Sequence, residues 1–336
     1  MIKIRVVVSG GAGFIGSNFV RYLSSETNYE ILVYDKLTYA GRIENIKDLV
    51  DRGRVTFVRG DIRDEELLTK TLREFEPDAL INFAAETHVD RSINEPAPFI
   101  ETNIVGVYTI LETLRRVDID IRFIHLSTDE VYGDLQGLDI EADEDYLLNP
   151  SSPYSASKAS GDLLIKAYSR TYGIRYRIAR PCNNYGPYQH PEKLIPRTII
   201  RLIHGKPAVI YGDGSQIRDW IHVYDTSTAL HTILTKGGDN EIYNICRHNY
   251  ASVREIVYSI VEAMGRDPGK SIIYSKKRPG EDMRYAMRCD KIMSLGWRPR
   301  YDLSKGLRET IEWYLSNEWW WRPLLDKTYV LSDTPW

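Results

Sequence analysis

The chain has 336 residues, 43% of them apolar, and a formal net charge of −3. Those values allow a large buried core, organised as one domain with a smaller companion, and they lack the global basic character of a nucleic-acid binder. No apolar run reaches the ~18 residues of a membrane span, and the opening residues already read as a strand, so neither a membrane segment nor a signal peptide is expected and the protein reads as cytoplasmic. Cys182, Cys246 and Cys289 are odd in number and far apart, and the seven His residues show no ligand spacing, so the expectation is neither a disulfide framework nor a metal site. Three Gln, three Cys and five Met point toward a thermophilic source.

Residues 4–8 read as a short apolar strand, followed by Gly10, Gly13 and Gly16 and by a helical pattern over 14–23 that opens with Phe14 and Ile15. Glycines let a chain turn tightly against a pyrophosphate, and a helix N-terminus adds N–H groups and partial positive charge. Strand, turn and helix together make the triplet a dinucleotide fingerprint, which three glycines alone are not. A second strand at 30–34 ends in Asp35, about 20 residues downstream, whose carboxylate suits a ribose 2′-hydroxyl and repels a 2′-phosphate. NAD is therefore expected over NADP, with Lys36 and Arg42 as cations that could soften the preference. Strands at 55–58 and 79–83 enclose a helix near 65–75.

Residues 121–126 read as a buried strand ending near Ser127, so Asp129 and Glu130 lie just past its C-terminal end, where open α/β sheets hold ligands. Successive strand residues face opposite ways, so both carboxylates serve one site only if the backbone turns there. Tyr154 and Lys158, four apart on a helix, share a face, and an ammonium beside a phenol should draw the phenol below its usual ~10. An Asp-Glu pair is more often a solvated turn or a helix cap, and a Tyr-x-x-x-Lys more often surface packing. Behind a nucleotide fingerprint they point instead to acid, base and redox chemistry on one sugar. A strand at 176–180 continues the alternation, which predicts an α/β fold with a Rossmann-type doubly wound parallel sheet. Pro and Gly become frequent after Pro181. That divides an NAD-binding domain, 1–181, from a smaller, discontinuous substrate domain, mainly 182–336, with elements near 219–246 returning to the main sheet.

These blocks resemble the extended short-chain dehydrogenase/reductases of the sugar-nucleotide-modifying branch, specifically the dTDP-glucose 4,6-dehydratases, over nearly the whole chain. The motifs carrying the resemblance are Gly10 to Gly16, 35–41 (DKLTYAG), 84–92 (AAETHVDRS), 127–133 (STDEVYG), Tyr154 with Lys158, 183–187 (NNYGP), 191–196 (PEKLIP), 216–220 (QIRDW) and 278–280 (RPG). The resemblance implies that Thr128, Asp129, Glu130, Tyr154 and Lys158 are catalytic. It implies that NAD is held by Gly10, Gly13, Phe14, Ile15, Gly16, Asp35, Lys36, Thr38, Gly41, Asp61, Ile62, Ala84, Ala85 and Thr102, together with Tyr154 and Lys158. Glu86, His88, Thr128, Asn183, Lys193, Leu194, Arg218 and Arg278 would hold a nucleotide sugar.

The implied reaction oxidises C4 while Tyr154 takes the O4 proton. Glu130 then removes the C5 proton, Asp129 protonates the departing C6 oxygen, and hydride returns to C6. Two such carboxyls should differ in protonation and titrate together. The Thr-Asp-Glu triplet separates this from the alternative, a 4-epimerase, because epimerases usually carry small hydroxyl residues there. A 4,6-dehydratase of another nucleotide sugar remains open, since Glu281 stands where the family often has His and Val253 where Asn is expected. A non-catalytic NAD-binding regulator would need none of these groups. Helices near 99–116 and 155–172 would, by resemblance, form a homodimer interface. Trp319-Trp320-Trp321 should pack on the body or on a partner subunit.

Overall fold

In the computed structural model, residues 4–277, 281–327 and 330–332 are described. The strands are, in chain order, β1 (Arg5–Ser9), β2 (Glu30–Asp35), β3 (Val55–Arg59), β4 (Ala79–Asn82), β5 (Arg122–Leu126), β6 (Tyr176–Pro181), β7 (Asn183–Tyr185), β8 (Ala208–Tyr211), β9 (Ile217–His222), β10 (Glu241–Ile245), β11 (Tyr250–Ser252) and β12 (Ile272–Ser275). Seven of them form one sheet in the order β10-β6-β5-β4-β1-β2-β3, and every pairing in it is parallel. The reason is legible in β1: Val6, Val7 and Val8 are all fully buried, because helices cover both faces of a parallel sheet. Val6 and Val8 join Val33 and Ile81 on one side, while Val7 joins Leu32 and Leu80 on the other. Strand order reverses between β1 and β4, which opens the crevice where such sheets bind ligands.

Local signals fix the elements that frame this crevice. Asp64 caps the helix Glu65–Phe75 by accepting from the Leu67 N–H. The helix Pro153–Tyr172 starts with a Ser152–Ser155 capping box and Pro153, and ends at Gly173 with φ +73°. Between β4 and β5 the helical stretch is interrupted by a π turn at Glu101–Val105, a feature the periodicity did not reveal. The helix Val223–Lys236 precedes β10, which returns to the main sheet beside β6.

A second core gathers β7, β9 and β11 with the helices Leu194–Ile203, Val253–Ala263 and Leu303–Ser316. Trp320 and Trp321 are buried in it, whereas Trp319 is exposed. The Trp320 indole N–H donates to Asn45 Oδ1 at 2.7 Å and its carbonyl accepts from Arg42 at 2.7 Å. Trp320 is thereby pinned beside the segment that follows β2.

The cysteine expectation is overturned. Cys246 and Cys289, 43 residues apart, form a disulfide with Cα atoms 5.8 Å apart. Distance along the chain hid this: β10 delivers Cys246, and the pairing of Ala142 with Met287 carries the neighbouring segment alongside. Cys182 is free and buried.

Candidate active site

Two adjoining cavities of about 300 and 600 Å³ follow the C-terminal ends of the main strands. Every residue expected to hold the dinucleotide lines the smaller one, from Gly10 through Asp35, Asp61 and Ala84 to Thr102, Tyr154 and Lys158. Gly10 sits at φ +70°, and a Cβ there would meet the Phe83 carbonyl carbon at 2.6 Å, so no other residue fits so close to the next loop. Gly13 precedes the helix Phe14–Glu26, whose N-terminus faces the same space. Asp35 is buried, accepting from the Ala12 N–H at 2.9 Å and the Leu37 N–H at 2.8 Å. Burial raises its pKa against those two bonds. Each carboxylate oxygen keeps a lone pair for a ribose hydroxyl.

Both nearby cations already have partners. Lys36 pairs with Asp61 at 2.7 Å; Arg42 pairs with Glu44 and donates to the Trp320 carbonyl. Burial pushes Asp61 up, but hydrogen bonds from Arg63 and Lys36 outweigh it and hold the carboxyl at about 2.

The backbone turns where both carboxylates require it. After β5 the chain enters a single 3-10 turn, Asp129–Tyr132, capped by Thr128, whose Oγ1 accepts from the Glu130 N–H at 3.3 Å. Thr128 also donates to Asp129 Oδ1 at 3.2 Å. Asp129 is buried, and desolvation, followed by the Glu130 charge, pushes its pKa up to about 8. Glu130 is less buried and lines both cavities. One carboxyl is thus held protonated at neutral pH beside another at the junction of the two chambers.

Tyr154 and Lys158 do share a buried helix face, but the expected depression of the phenol is corrected. Burial, then the charge of Glu130, raises the Tyr154 pKa, and only a hydrogen bond with Thr128 works the other way. Burial also loosens the hold of Lys158 on its own proton. Its amine donates to the Leu126 carbonyl at 2.7 Å, and desolvation lowers its pKa to about 8.

A buried polar chain, missed in the sequence, reaches the lysine. Asn82 Oδ1 accepts from Ser9 Oγ at 2.8 Å and from the Ala84 N–H at 3.1 Å, so its amide nitrogen donates to His125 Nδ1 at 3.1 Å. The other ring nitrogen of His125, Nε2, lies 3.3 Å from Lys158 Nζ. Full burial, with Lys158, depresses the imidazole well below its ordinary value. Asn103, on the π turn, holds the Glu86 backbone by both N–H and carbonyl and donates to Ser157 Oγ. It thereby ties the Ala84–Ala85 loop to the Tyr154 helix.

The larger cavity is lined by Glu86, His88, Asn183, Lys193, Leu194 and Arg218; Thr128 lies on the smaller one. Arg278 lies outside the described residues. Arg218 is stacked over Tyr285 at 4.2 Å and donates to the Ile217 and Asp282 carbonyls. Beneath it, Asp219 accepts from three successive backbone N–H groups, Arg247, His248 and Asn249, at 2.7, 2.9 and 2.7 Å. Neither Tyr285 nor Asp219 was singled out in the sequence, because both act through contacts far along the chain. Asn183 Oδ1 is buried with no partner, as a ligand-binding amide would be. Glu281 accepts from Gln216 Nε2 at 2.6 Å, and Val253 lines the same cavity.

The chain belongs to the family described as GDP-mannose 4,6 dehydratase, which it matches over residues 7–310. It is 44% identical to a dTDP-glucose 4,6-dehydratase of Salmonella typhimurium over 94% of both chains. It is 46% identical to one from Mycolicibacterium smegmatis, over 96% of this chain and 97% of that one. Among solved structures it resembles DesIV, a dTDP-glucose 4,6-dehydratase of Streptomyces venezuelae determined with NAD and dTDP. The TM-score is 0.91 at 43% identity, covering 96% of this chain and all of that one. UDP-glucose 4-epimerases stand further off, at 30–31% identity.

The Asp129 environment has a thermodynamic consequence. Its folded pKa lies above that of an unfolded carboxyl, so its contribution to stability is present at acid pH and is lost as pH rises from near 4 to about 8. Asp129→Asn should therefore melt higher than the wild type above about pH 8, by roughly 2 °C or more, with the gap closing toward pH 4. Calorimetry that finds the same gap at both ends would remove the buried protonated carboxyl.

Proposed function

We propose that this chain is an NAD-dependent hydro-lyase that converts dTDP-glucose to dTDP-4-keto-6-deoxyglucose and works as a homodimer. Residues 1–181, with the returning elements near 219–246, hold the dinucleotide, and 182–336 mainly hold the sugar nucleotide. The observation that carries the reading is the pair of carboxyls after β5: Asp129, kept protonated up to about 8, and Glu130, at the junction of the two cavities. A 4-epimerase needs no acid and base aimed at C5 and C6.

A C5 proton is hardly acidic until C4 is a carbonyl, so oxidation comes first. Tyr154 receives the O4 proton once it is a phenolate, a form favoured by the hydrogen bond with Thr128, which lies beside the same oxygen. NAD, when bound, would supply the hydride acceptor for C4 and the hydride returned to C6, and its positive charge would favour the phenolate that burial and the Glu130 charge oppose. Glu130 removes the C5 proton and Asp129 hands its own to the leaving C6 oxygen, each step worth about 10²–10⁴ in rate. Arg218, presented by Tyr285, suits a diphosphate. The dTDP-glucose 4,6-dehydratases among the relatives support thymidine as the nucleoside.

The dimer reading rests on exposed apolar side chains of two neighbouring helical stretches: Ile100, Val105 and Tyr108 on one, Leu163 and Tyr172 on the other. Leu163→Glu should shift the protein from dimer to monomer in sedimentation velocity; an unchanged dimer would move the interface elsewhere.

Incubation with dTDP-glucose should give a keto sugar, seen as near-ultraviolet absorbance after alkali treatment. Glu130→Gln should complete C4 oxidation and stall, accumulating reduced nicotinamide with keto-deoxy product cut by about 10²-fold or more. A C4 epimer in place of keto product overturns the dehydratase reading. Turnover of another nucleoside diphosphate sugar in preference overturns only the nucleoside.

A further inference from the structure

Away from both cavities, Cys246 directly follows the end of β10, and the chain then bends back at His248, which adopts φ +59°, unusual for a residue with a side chain. The bend carries the imidazole over the disulfide: Nε2 lies 3.2 Å from Cys246 Sγ and 4.0 Å from Cys289 Sγ. All three donor atoms fall within 4.8 Å of one another. Tetrahedral zinc, with bonds of ~2.3 Å to sulfur and ~2.0 Å to nitrogen, requires S···N separations of roughly 3.6 Å. The two observed distances straddle that value. The Cys Cα separation of 5.8 Å leaves the sulfurs free to part to the roughly 3.8 Å that two zinc thiolates need, by side-chain rotation alone. Both cysteines are fully buried while His248 is exposed, so the cluster has a solvent side for a fourth ligand and a path of entry.

We propose that Cys246, His248 and Cys289 form a redox-gated site for a borderline-soft divalent metal, of which Zn²⁺ is the type: a disulfide when oxidised, a Cys₂His metal centre when reduced. A dithiol reductant gives two electrons and two protons to the S–S bond, leaving two thiols here and a disulfide on the reductant. The metal then displaces both thiol protons and takes the His248 Nε2 lone pair. In the oxidised form Nε2 donates to the Met287 carbonyl at 3.2 Å, so the ring moves its proton to Nδ1 and gives up that bond. Either closed form clamps the loop whose N–H groups hold Asp219, next to Arg218. A metal therefore keeps the phosphate-side frame intact in a reducing compartment.

The test uses Co²⁺ as a spectroscopic stand-in, added to the full-length protein after dithiol reduction and removal of the reductant without air. One equivalent per chain should bind with thiolate-to-cobalt charge-transfer bands that Zn²⁺ abolishes. The oxidised protein and the Cys246→Ser/Cys289→Ser variant should show none. His248→Ala should weaken binding by about tenfold or more, since outer-shell changes alone cost that much, and Cys182→Ser should bind as the wild type does. Reduced wild type with three titratable thiols and no bands beyond those of the double variant overturns the proposal. So does loss of native circular dichroism on reduction that Zn²⁺ fails to restore.

Discussion

In the proposed reaction one short turn carries the chemistry. Thr128 caps the 3-10 segment after β5, and because the backbone turns instead of continuing as strand, two sequence neighbours come to stand in different surroundings around one crevice. Asp129 goes into the protein and loses its water; Glu130 goes to the boundary of both cavities. Desolvation, with the neighbouring charge, separates their protonation. The proposed reaction asks one carboxyl to hold a proton at neutral pH and its neighbour to take one, a difference that an open surface loop would not maintain.

The rest of the fold serves that turn. The parallel sheet supplies its position, since β5 ends at the crevice beside the strand-order reversal. The Ser9–Asn82–His125 chain fixes Lys158 from below, and Asn103 locks the loop after β4 to the Tyr154 helix. On the far side Arg218 is immobilised by Tyr285 and two carbonyls, and the strand beneath it is anchored through Asp219. Each of these groups is buried, so each depends on partners that arrive from distant parts of the chain.

Much of this was legible in the sequence for a physical reason. Strands buried on both faces are written as unbroken apolar runs, so β1, β2, β4 and β5 were found within a residue or so of their observed ends. The Gly10 motif was legible because only glycine tolerates that backbone and that proximity. What escaped depends on long-range assembly. The Cys246–Cys289 bond joins segments 43 residues apart, and Asp219 is defined by a loop some thirty positions on. The Tyr154 expectation failed because spacing on a helix gives proximity and not solvation: burial, followed by the Glu130 charge, raised the phenol, and desolvation lowered Lys158 to about 8. The π turn at Glu101–Val105 left the apolar rhythm intact and so gave no signal.

The central claim is the division of labour between Asp129 and Glu130, and hydrogen exchange at C5 in D₂O tests it most directly. With dTDP-glucose, Asp129→Asn should still exchange the C5 hydrogen for deuterium while elimination fails, because its base is intact and its acid is gone. Glu130→Gln should leave C5 unexchanged. Exchange in Glu130→Gln with none in Asp129→Asn would reverse the two roles, and equal exchange in both would contradict the account.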